Sequence, residues 1–254
     1  MSQRAAAFFD LDKTILAKSA TLALFPPLRA AGLLTRADVA RSAHAQLTYH
    51  FLDADHERSE RVRERLSALV TGWDAELFAR VVTESLATRI EPQVFVEALE
   101  AIATHRAAGH AIVVVSASAE AIVRPIAHML GVDYVLSSRL ETANGRYTGH
   151  IERYMYGPEK AAAMAELAER FDWDLTQCWA YSDSITDAPM LQAVGHAVAV
   201  NPDRALAHMA VDNGWDIRRF TNPVPLRPPV AVPLAGLLSL AAIAGVIWWW
   251  RRRS

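Results

Sequence analysis

Cysteine, lysine and net charge are all scarce in this chain of 254 residues, and each shortage excludes something. The one cysteine, Cys178, rules out an internal disulfide, suits a reducing compartment and is expected to be a buried structural thiol. A net charge of -2 provides no strong field for a nucleic acid, so we expect no such partner. The nine histidines are scattered without an H-E-x-x-H motif, which argues against a histidine-based metal site.

Two carboxylates close the first apolar run of the chain. Residues 5–9 read Ala-Ala-Ala-Phe-Phe, and Asp10 and Asp12 follow directly. This pattern predicts a buried strand whose carboxyl end opens into a site. Neighbouring acids repel each other, so the pair indicates a bound cation, or one acid that attacks while the other moves protons. A strand followed by an Asp-rich turn is the alternative, and a D-x-D motif alone does not exclude it.

Two later apolar runs also end in polar groups. Residues 111–115 form a second predicted strand that ends at Ser116, and the strand predicted over 177–181 leads to Asp183 and Asp187. In an open parallel sheet the ligand site lies at the carboxyl ends of the strands. These groups can therefore converge although they are far apart in the sequence.

Lysine occurs only three times, and two of the three lie beside these polar groups. Lys13 follows the first acid pair, and Lys160 opens a predicted helix after a Gly-Pro-Glu turn. A compact point charge suits a crowded phosphate site, whereas the fork of an arginine needs more room. The alternative for Lys160, taken alone, is an ordinary lysine at a helix start.

Together these motifs resemble those of the haloacid dehalogenase (HAD) superfamily of phosphohydrolases, in its phosphoserine-phosphatase-like subfamily IB. The resemblance covers roughly residues 5–222, and the motifs stand in the family's order. The matching residues are Asp10, Asp12 and Thr14 for motif I, Ser116 for motif II, Lys160 for motif III, and Asp183 and Asp187 for motif IV.

The resemblance implies a role for each matched residue. Asp10 would be the nucleophile that forms an aspartyl-phosphate, and Asp12 would be the general acid and base. The implied cofactor is Mg²⁺, a hard ion that prefers oxygen ligands. Its implied ligands are Asp10, Asp12 through the main-chain carbonyl, Asp183 and Asp187. The implied phosphate-binding residues are Thr14, Ser116 and Lys160.

Helices are predicted over residues 92–108 and 158–171, and the Asn144-Gly145 pair predicts a hairpin turn. Strands alternate with helices from residue 92 onwards, which predicts a doubly wound parallel sheet of the α/β class. The catalytic core would comprise residues 1–15 and 92–222. Residues 16–91 show helical patterns with few strand signals, and the resemblance implies a helical cap that closes over the site and selects the substrate. Candidate pocket residues there, each equally consistent with packing, are His44, Tyr49, His50, Phe51 and Arg89.

The apolar excess of the chain is concentrated in residues 230–250, which contain no charged side chain. At about 1.5 Å rise per residue they match a bilayer core, which predicts a transmembrane helix between a Pro-rich linker at 223–229 and a basic tail at 251–254. The alternative is a buried core helix. No signal peptide precedes the first strand, so we expect a single-pass protein of the cell membrane with a cytoplasmic catalytic domain.

Three hypotheses about function remain. The first is a Mg²⁺-dependent phosphomonoesterase held at a membrane, acting on a lipid-type phosphomonoester such as a lysophosphatidate. The second is a phosphatase for phosphoserine or another small metabolite. Residues 116–118 read Ser-Ala-Ser where phosphoserine phosphatases typically carry a Gly-rich motif, and no acid lies between Asp12 and Asp38, which weakens this hypothesis. The third is a non-catalytic binding module tethered to a membrane. The sequence leaves the oligomeric state open.

Overall fold

The computed structural model describes residues 5–35, 64 and 67–223 of the chain. The strands in this part are β1 (Ala6–Asp10), β2 (Ala111–Ala119), β3 (Tyr134–Ala143), β4 (Arg146–Arg153), β5 (Trp179–Ser182), β6 (His196–Val200) and β7 (Asp216–Arg218). They form one sheet in the order β4-β3-β2-β1-β5-β6-β7. Every neighbouring pair is parallel except β3 and β4, which run antiparallel at one edge.

Helices cover both faces of this sheet. The α-helices of the described residues are α1 (Ala20–Ala23), α2 (Phe25–Ala30), α3 (Ala75–Ser85), α4 (Val96–Ala107), α5 (Glu120–Leu130), α6 (Pro158–Phe171), α7 (Ala188–Gln192) and α8 (Arg204–Asp212). A π-helical turn covers Leu86–Ile90, and 3₁₀ turns cover Glu91–Gln93, Leu175–Gln177 and Ile185–Asp187.

Two hydrophobic cores lie on opposite faces of the sheet. All five residues of β1 are buried, and their alternation sends Phe9 into one core and Phe8 into the other. The core around Phe9 is built with α3, α4 and α5, and the core around Phe8 with α6, α7 and α8. The α/β sheet covered on both faces is therefore confirmed.

A tight turn joins β3 to β4. Asn144 and Gly145 have φ angles of 51° and 75°, the left-handed pair that a two-residue hairpin turn needs. The tip of this hairpin also contacts the segment before α3: Gly72 N donates to Tyr147 O, Tyr147 N to Trp73 O and Ala75 N to Gly145 O, at 2.8, 3.0 and 2.9 Å. The hairpin predicted around Asn144 is confirmed, and its pairing with residues 72–75 is an addition.

Three boundaries differ from the sequence prediction. The helix predicted over 92–108 begins only at Val96, because Pro92 lies in a 3₁₀ turn and Phe95 is extended. Strand β2 continues four residues beyond its predicted end at Val115, and its pairing with β3 shifts where residues 117 and 118 form a bulge. Cys178 lies directly before β5 and is buried, with its Sγ accepting a hydrogen bond from Ala6 N at 3.2 Å.

Several predictions concern residues outside those described. They are most of the predicted cap between 36 and 66, the linker beyond Pro223, the transmembrane helix at 230–250, the basic tail at 251–254, and the pocket candidates His44, Tyr49, His50 and Phe51. In the part of the chain that is described, no helix is both long and apolar enough to cross a bilayer.

Candidate active site at the carboxyl ends of the strands

The strand register brings three of the predicted motifs to one place. β1 lies between β2 and β5, and its last residue, Asp10, pairs with Val115, which precedes Ser116. On the other side, β5 pairs with β1 as far as Tyr181, and Asp183 lies two residues further on. The side chains that follow these strands therefore meet at the carboxyl ends of the three central strands, as the sequence predicted.

Lys160 is the centre of a buried ionic network. Its Nζ lies 2.7 Å from Asp10 Oδ1 and 2.7 Å from Asp187 Oδ2, and all three side chains are buried. The hydroxyl of Ser182 donates a further hydrogen bond to Asp187 Oδ2 at 2.6 Å. The lysine thus holds a carboxylate that ends β1 and a carboxylate that follows β5 in fixed positions.

The turn before α6 explains how Lys160 reaches this network. Gly157 has a φ of 56° and a ψ of −126°, a backbone conformation that residues other than glycine rarely adopt. Pro158 then begins α6, and Lys160 N donates to Gly157 O at 3.1 Å. The ammonium therefore comes from the first turn of α6, and the helix predicted over 158–171 is confirmed.

Burial makes every charge in the network costly. Burial raises the pKa of Asp10 well above its ordinary 3.8; the Lys160 ammonium opposes this, and the charges of Asp187 and Asp183 add to it. Burial also disfavours the ammonium of Lys160, but Asp10 and Asp187 outweigh it and raise its pKa above 10.5. Three acids face one buried lysine here, so an added cation would be stabilised.

Asp183 completes what we call the carboxylate site: Asp10, Asp183, Asp187 and Lys160. Burial raises the pKa of Asp183 to about 7, the ammonium of Lys13 opposes this, and Asp187 adds to it. Among the described residues, no three Asp, Glu, His or Cys side chains are grouped as a metal site by themselves. The available donors are hard oxygens: the carboxylates of Asp10 and Asp183 and the main-chain carbonyl of Asp12. This donor set fits Mg²⁺, with waters completing its coordination shell.

The side chain of Asp12 stands apart from the ionic network. Its Oδ1 accepts a hydrogen bond from Ala20 N at 2.6 Å, and its Oδ2 accepts one from Ser118 Oγ at 3.1 Å. Burial raises the pKa of Asp12, while these two hydrogen bonds oppose the rise. A carboxyl group whose direct partners are neutral donors, with Lys160 acting on it only through its charge, suits proton transfer.

The two predicted phosphate-binding hydroxyls are both buried. Thr14 lies in the turn after β1, and in the described part of the chain its Oγ1 has no hydrogen-bond partner. Ser116 Oγ accepts from Ser118 N at 3.2 Å. An unsatisfied buried hydroxyl costs about 1–3 kcal/mol, so Thr14 keeps a hydrogen bond available for a ligand.

Sequence reasoning missed three residues that shape the site. Ser118 contacts Asp12, and Ser182 contacts Asp187, and both serines lie within motifs that the sequence had already singled out. Asp203 lies outside every motif: its N–H donates to Asp183 O at 2.8 Å, and its Oδ2 accepts from Ile185 N at 2.9 Å. Its only sequence signal is the N-cap position of α8. The pocket candidate Arg89 is exposed in the π-helical turn.

A second polar cluster lies at the amino ends of the strands, and we call it the histidine cluster: His105, His110 and His196. His105 Nε2 lies 2.7 Å from Tyr181 Oη, and its Nδ1 lies 3.0 Å from His110 Nδ1. Trp179 stacks between His110 and His196, with ring centroids 4.6 and 4.3 Å away. Burial, together with the neighbouring histidines and an arginine, lowers the pKa of His105 to about 4.

Comparisons with known proteins agree with this geometry. The family model for haloacid dehalogenase-like hydrolases matches residues 7–192. The chain is 46% identical over 243 residues to the "probable phosphatase Rv3661" of Mycobacterium tuberculosis, covering 96% of this chain and 85% of that protein. It is 30% identical over 245 residues to "phosphoserine phosphatase SerB1" of the same species, covering 96% and 79%.

A solved structure has the same fold. It is a protein of unknown function from Bordetella pertussis Tohama I, with a TM-score of 0.74 and 27% identity. The similarity covers 85% of this chain and 98% of that one.

Proposed function

The chain belongs to the haloacid dehalogenase-like hydrolases and is a phosphatase of that family; from this premise we propose that it hydrolyses phosphomonoesters through an aspartyl-phosphate on Asp10. The observation that carries the proposal is the buried network in which Lys160 Nζ lies 2.7 Å from both Asp10 and Asp187. Such a network is costly, and a structural role alone would be served as well by apolar residues. The similarity to a probable phosphatase argues against the hypothesis of a non-catalytic binding module.

The proposed reaction uses the residues in two steps. An oxygen of Asp10 attacks phosphorus while the ester P–O bond breaks, and Asp12 gives its proton to the departing alkoxide. A water molecule then attacks the same phosphorus, Asp12 takes back a proton, and phosphate leaves Asp10. Lys160 and the hydroxyls of Thr14 and Ser116 bind the phosphoryl oxygens, which carry the negative charge.

Mg²⁺ is the proposed cofactor. It would be held by the carboxylates of Asp10 and Asp183 and by the main-chain carbonyl of Asp12, with Asp187 as an outer acidic partner. The ion supplies charge neutralisation for the phosphoryl group when it is bound. The support for it is the chemistry of the donor set and the excess of buried negative charge around Lys160.

The nucleophile and the cofactor can be tested together with an aryl phosphate. We expect Asp10→Asn to lower the rate at least about 10³-fold, because an amide does not form the acyl phosphate. Asp212→Asn, an exposed acid at the end of α8, serves as the matched control and should retain full activity. EDTA should abolish wild-type activity, and added Mg²⁺ should restore it. Full activity of Asp10→Asn, or full activity in EDTA, would reject the mechanism.

The proposed location is the inner face of the cell membrane, through the apolar residues 230–250. The test compares the full chain with a chain truncated after Pro223, the last described residue. The full chain should sediment with membranes until detergent is added, and the truncated chain should be soluble and equally active. An unfolded truncated chain would favour the buried-helix alternative.

For the substrate, a lipid-type phosphomonoester is the proposal that follows from such an anchor. The 30% identity to a phosphoserine phosphatase favours phosphoserine as a second candidate. A comparison of kcat/KM for lysophosphatidate, phosphatidylglycerophosphate and phosphoserine decides between them. A clear preference for phosphoserine would overturn the lipid proposal and leave the reaction mechanism unaffected.

A further inference from the structure

We infer that Ser118 is a positioning residue for Asp12, holding the carboxyl oxygen through which the proton passes. The inference rests on the proposed function, in which Asp12 protonates the leaving group. It depends on a contact between two motifs that neither motif predicts by itself: Ser118 Oγ lies 3.1 Å from Asp12 Oδ2, although the two residues are 106 positions apart.

A bulge in β2 creates this contact. Ser116 pairs with Ser137 of β3 and Ala119 pairs with Ser138, so residues 117 and 118 lie outside the regular ladder. The hydroxyl of Ser138 fastens the bulge, because it donates to Ala117 O at 2.7 Å and accepts from Met155 N at 3.0 Å. Bulges reorient side chains near active sites, and this one directs the hydroxyl of Ser118 to Asp12.

The two oxygens of Asp12 have different partners, which separates their roles. Oδ1 accepts a hydrogen bond from the N–H of Ala20 at 2.6 Å, and an amide N–H only donates, so this partner serves Oδ1 only as an acceptor. Oδ2 faces the hydroxyl of Ser118, which both donates and accepts. Of the two oxygens, Oδ2 is therefore the one whose partner can adapt while Asp12 transfers a proton, and it is the oxygen that Ser118 contacts.

Thr21 gives the serine a second partner. Its Oγ1 lies 3.4 Å from Ser118 Oγ, at the long end of the hydrogen-bonding range. When Asp12 is a carboxylate, Ser118 donates to it. When Asp12 carries its proton, Ser118 can turn its own hydrogen to Thr21. The pair of hydroxyls thus accommodates both forms of Asp12 that the reaction cycle requires.

The test compares two substrates of nearly the same shape, phenyl phosphate and para-nitrophenyl phosphate. Phenolate is a poor leaving group that needs a proton, whereas para-nitrophenolate leaves readily without one. Because kcat/KM reports the first irreversible step, it isolates the transfer to Asp10 from the later hydrolysis. We expect Ser118→Ala to lower kcat/KM about tenfold for phenyl phosphate and less than about twofold for para-nitrophenyl phosphate.

Ser118→Thr is the matched control, because it keeps the hydroxyl and should restore most of the rate on phenyl phosphate. A second variant, Thr21→Val, should show the same substrate difference with a smaller amplitude, about threefold, while Thr21→Ser should not. These variants also decide the matter if Ser118→Ala folds poorly. Equal losses on both substrates, no loss on either, or a threonine variant as impaired as the alanine variant would overturn the inference.

Failure of this inference is distinguishable from failure of the proposed function. If Asp10→Asn remains active, the phosphatase mechanism is wrong for this site. If Asp10→Asn is inactive and Ser118→Ala shows no substrate difference, the mechanism stands and only the role of Ser118 is wrong.

Discussion

The buried polar groups at the two ends of the same sheet differ in their charge. At the carboxyl ends, the carboxylate site keeps a charged lysine in contact with two buried acids. At the amino ends, the histidine cluster buries His105 between Tyr181 and His110, and burial lowers its pKa to about 4, so that it stays neutral. These ionisable groups have partners at both ends, but only the carboxylate site retains buried charge.

The difference teaches where to look for chemistry in a fold of this kind. A neutral hydrogen-bonded cluster costs little and can serve packing, as the stacking of Trp179 on two histidines shows. A buried cluster with more acids than cations costs several kcal/mol unless a ligand or ion completes it. Perturbed acids such as Asp10 and Asp183 therefore indicate the carboxyl ends of the strands as the place to look for chemistry.

The largest effect should come from Lys160→Met in the carboxylate site, which removes the ammonium charge but keeps a side chain of similar length. Activity on an aryl phosphate should fall about 10²–10³-fold, because the phosphoryl group loses its ammonium. The free energy of unfolding should fall by about 3 kcal/mol, because Asp10 and Asp187 stay buried without a cation. Initial rates and urea denaturation measure the two effects.

A double variant shows whether charge causes this destabilisation. In Asp10→Asn/Lys160→Met one buried acid is neutral, so the double variant should be more stable than Lys160→Met alone while remaining inactive. Equal stability of the two would mean that lost packing, and not an uncompensated carboxylate, explains the first result.

A substitution in the histidine cluster should change the stability of the protein and not its activity. The pKa of His105 is 6.5 when unfolded and about 4 when folded, so the unfolded chain binds more protons between these values and stability falls as the pH falls. Between pH 7 and pH 5 the loss from this group should be about 2 kcal/mol. His105→Gln, which can still bond Tyr181, should flatten the pH dependence of urea midpoints and leave activity at pH 7 unchanged. A variant with the wild-type slope would assign the pH dependence to other groups.

The smallest effect should come from Asp203, which supports the carboxylate site from outside. Asp203→Ala removes the N-cap of α8 and the hydrogen bond to Ile185 N, and we expect a loss of about 1 kcal/mol. The loop that carries Asp183 should loosen, raising the Mg²⁺ concentration for half-maximal activity about threefold. Asp203→Asn keeps one acceptor oxygen, which can still cap Leu206 N, but its amide nitrogen cannot accept from Ile185 N, so it should lie between wild type and Asp203→Ala. A Mg²⁺ titration of all three proteins checks the order.

Much of the fold could be predicted from the sequence because the signals for its elements are local. The apolar runs predicted β1 and β2, the Asn144-Gly145 pair predicted the hairpin, and Gly157-Pro158 predicted the start of the helix that carries Lys160. The convergence of the motifs also followed, since parallel strands meet at one end of a sheet. The residue set of the carboxylate site was predictable for that reason.

The missed features all depend on partners distant in the sequence. The bulge that redirects Ser118 arises from pairing with β3, and nothing within Ser116-Ala117-Ser118 itself indicates it. Asp203 meets Asp183 only because β5 and β6 are neighbours in the sheet. The helix predicted from Pro92 failed because the main chain there pairs with the turn after β1, where Phe95 N donates to Ile15 O. Such tertiary hydrogen bonds override local preference.

The hairpin tip has a mechanical consequence. A segment attached only at its covalent junctions can swing freely, but Gly72, Trp73 and Ala75 are joined to Gly145 and Tyr147 by three main-chain hydrogen bonds. Residues 72–75 can therefore move outward only if the hairpin moves with them or if those hydrogen bonds break. Lengthening the Asn144-Gly145 turn should therefore increase the mobility of residues 72–75 without touching the groups that react.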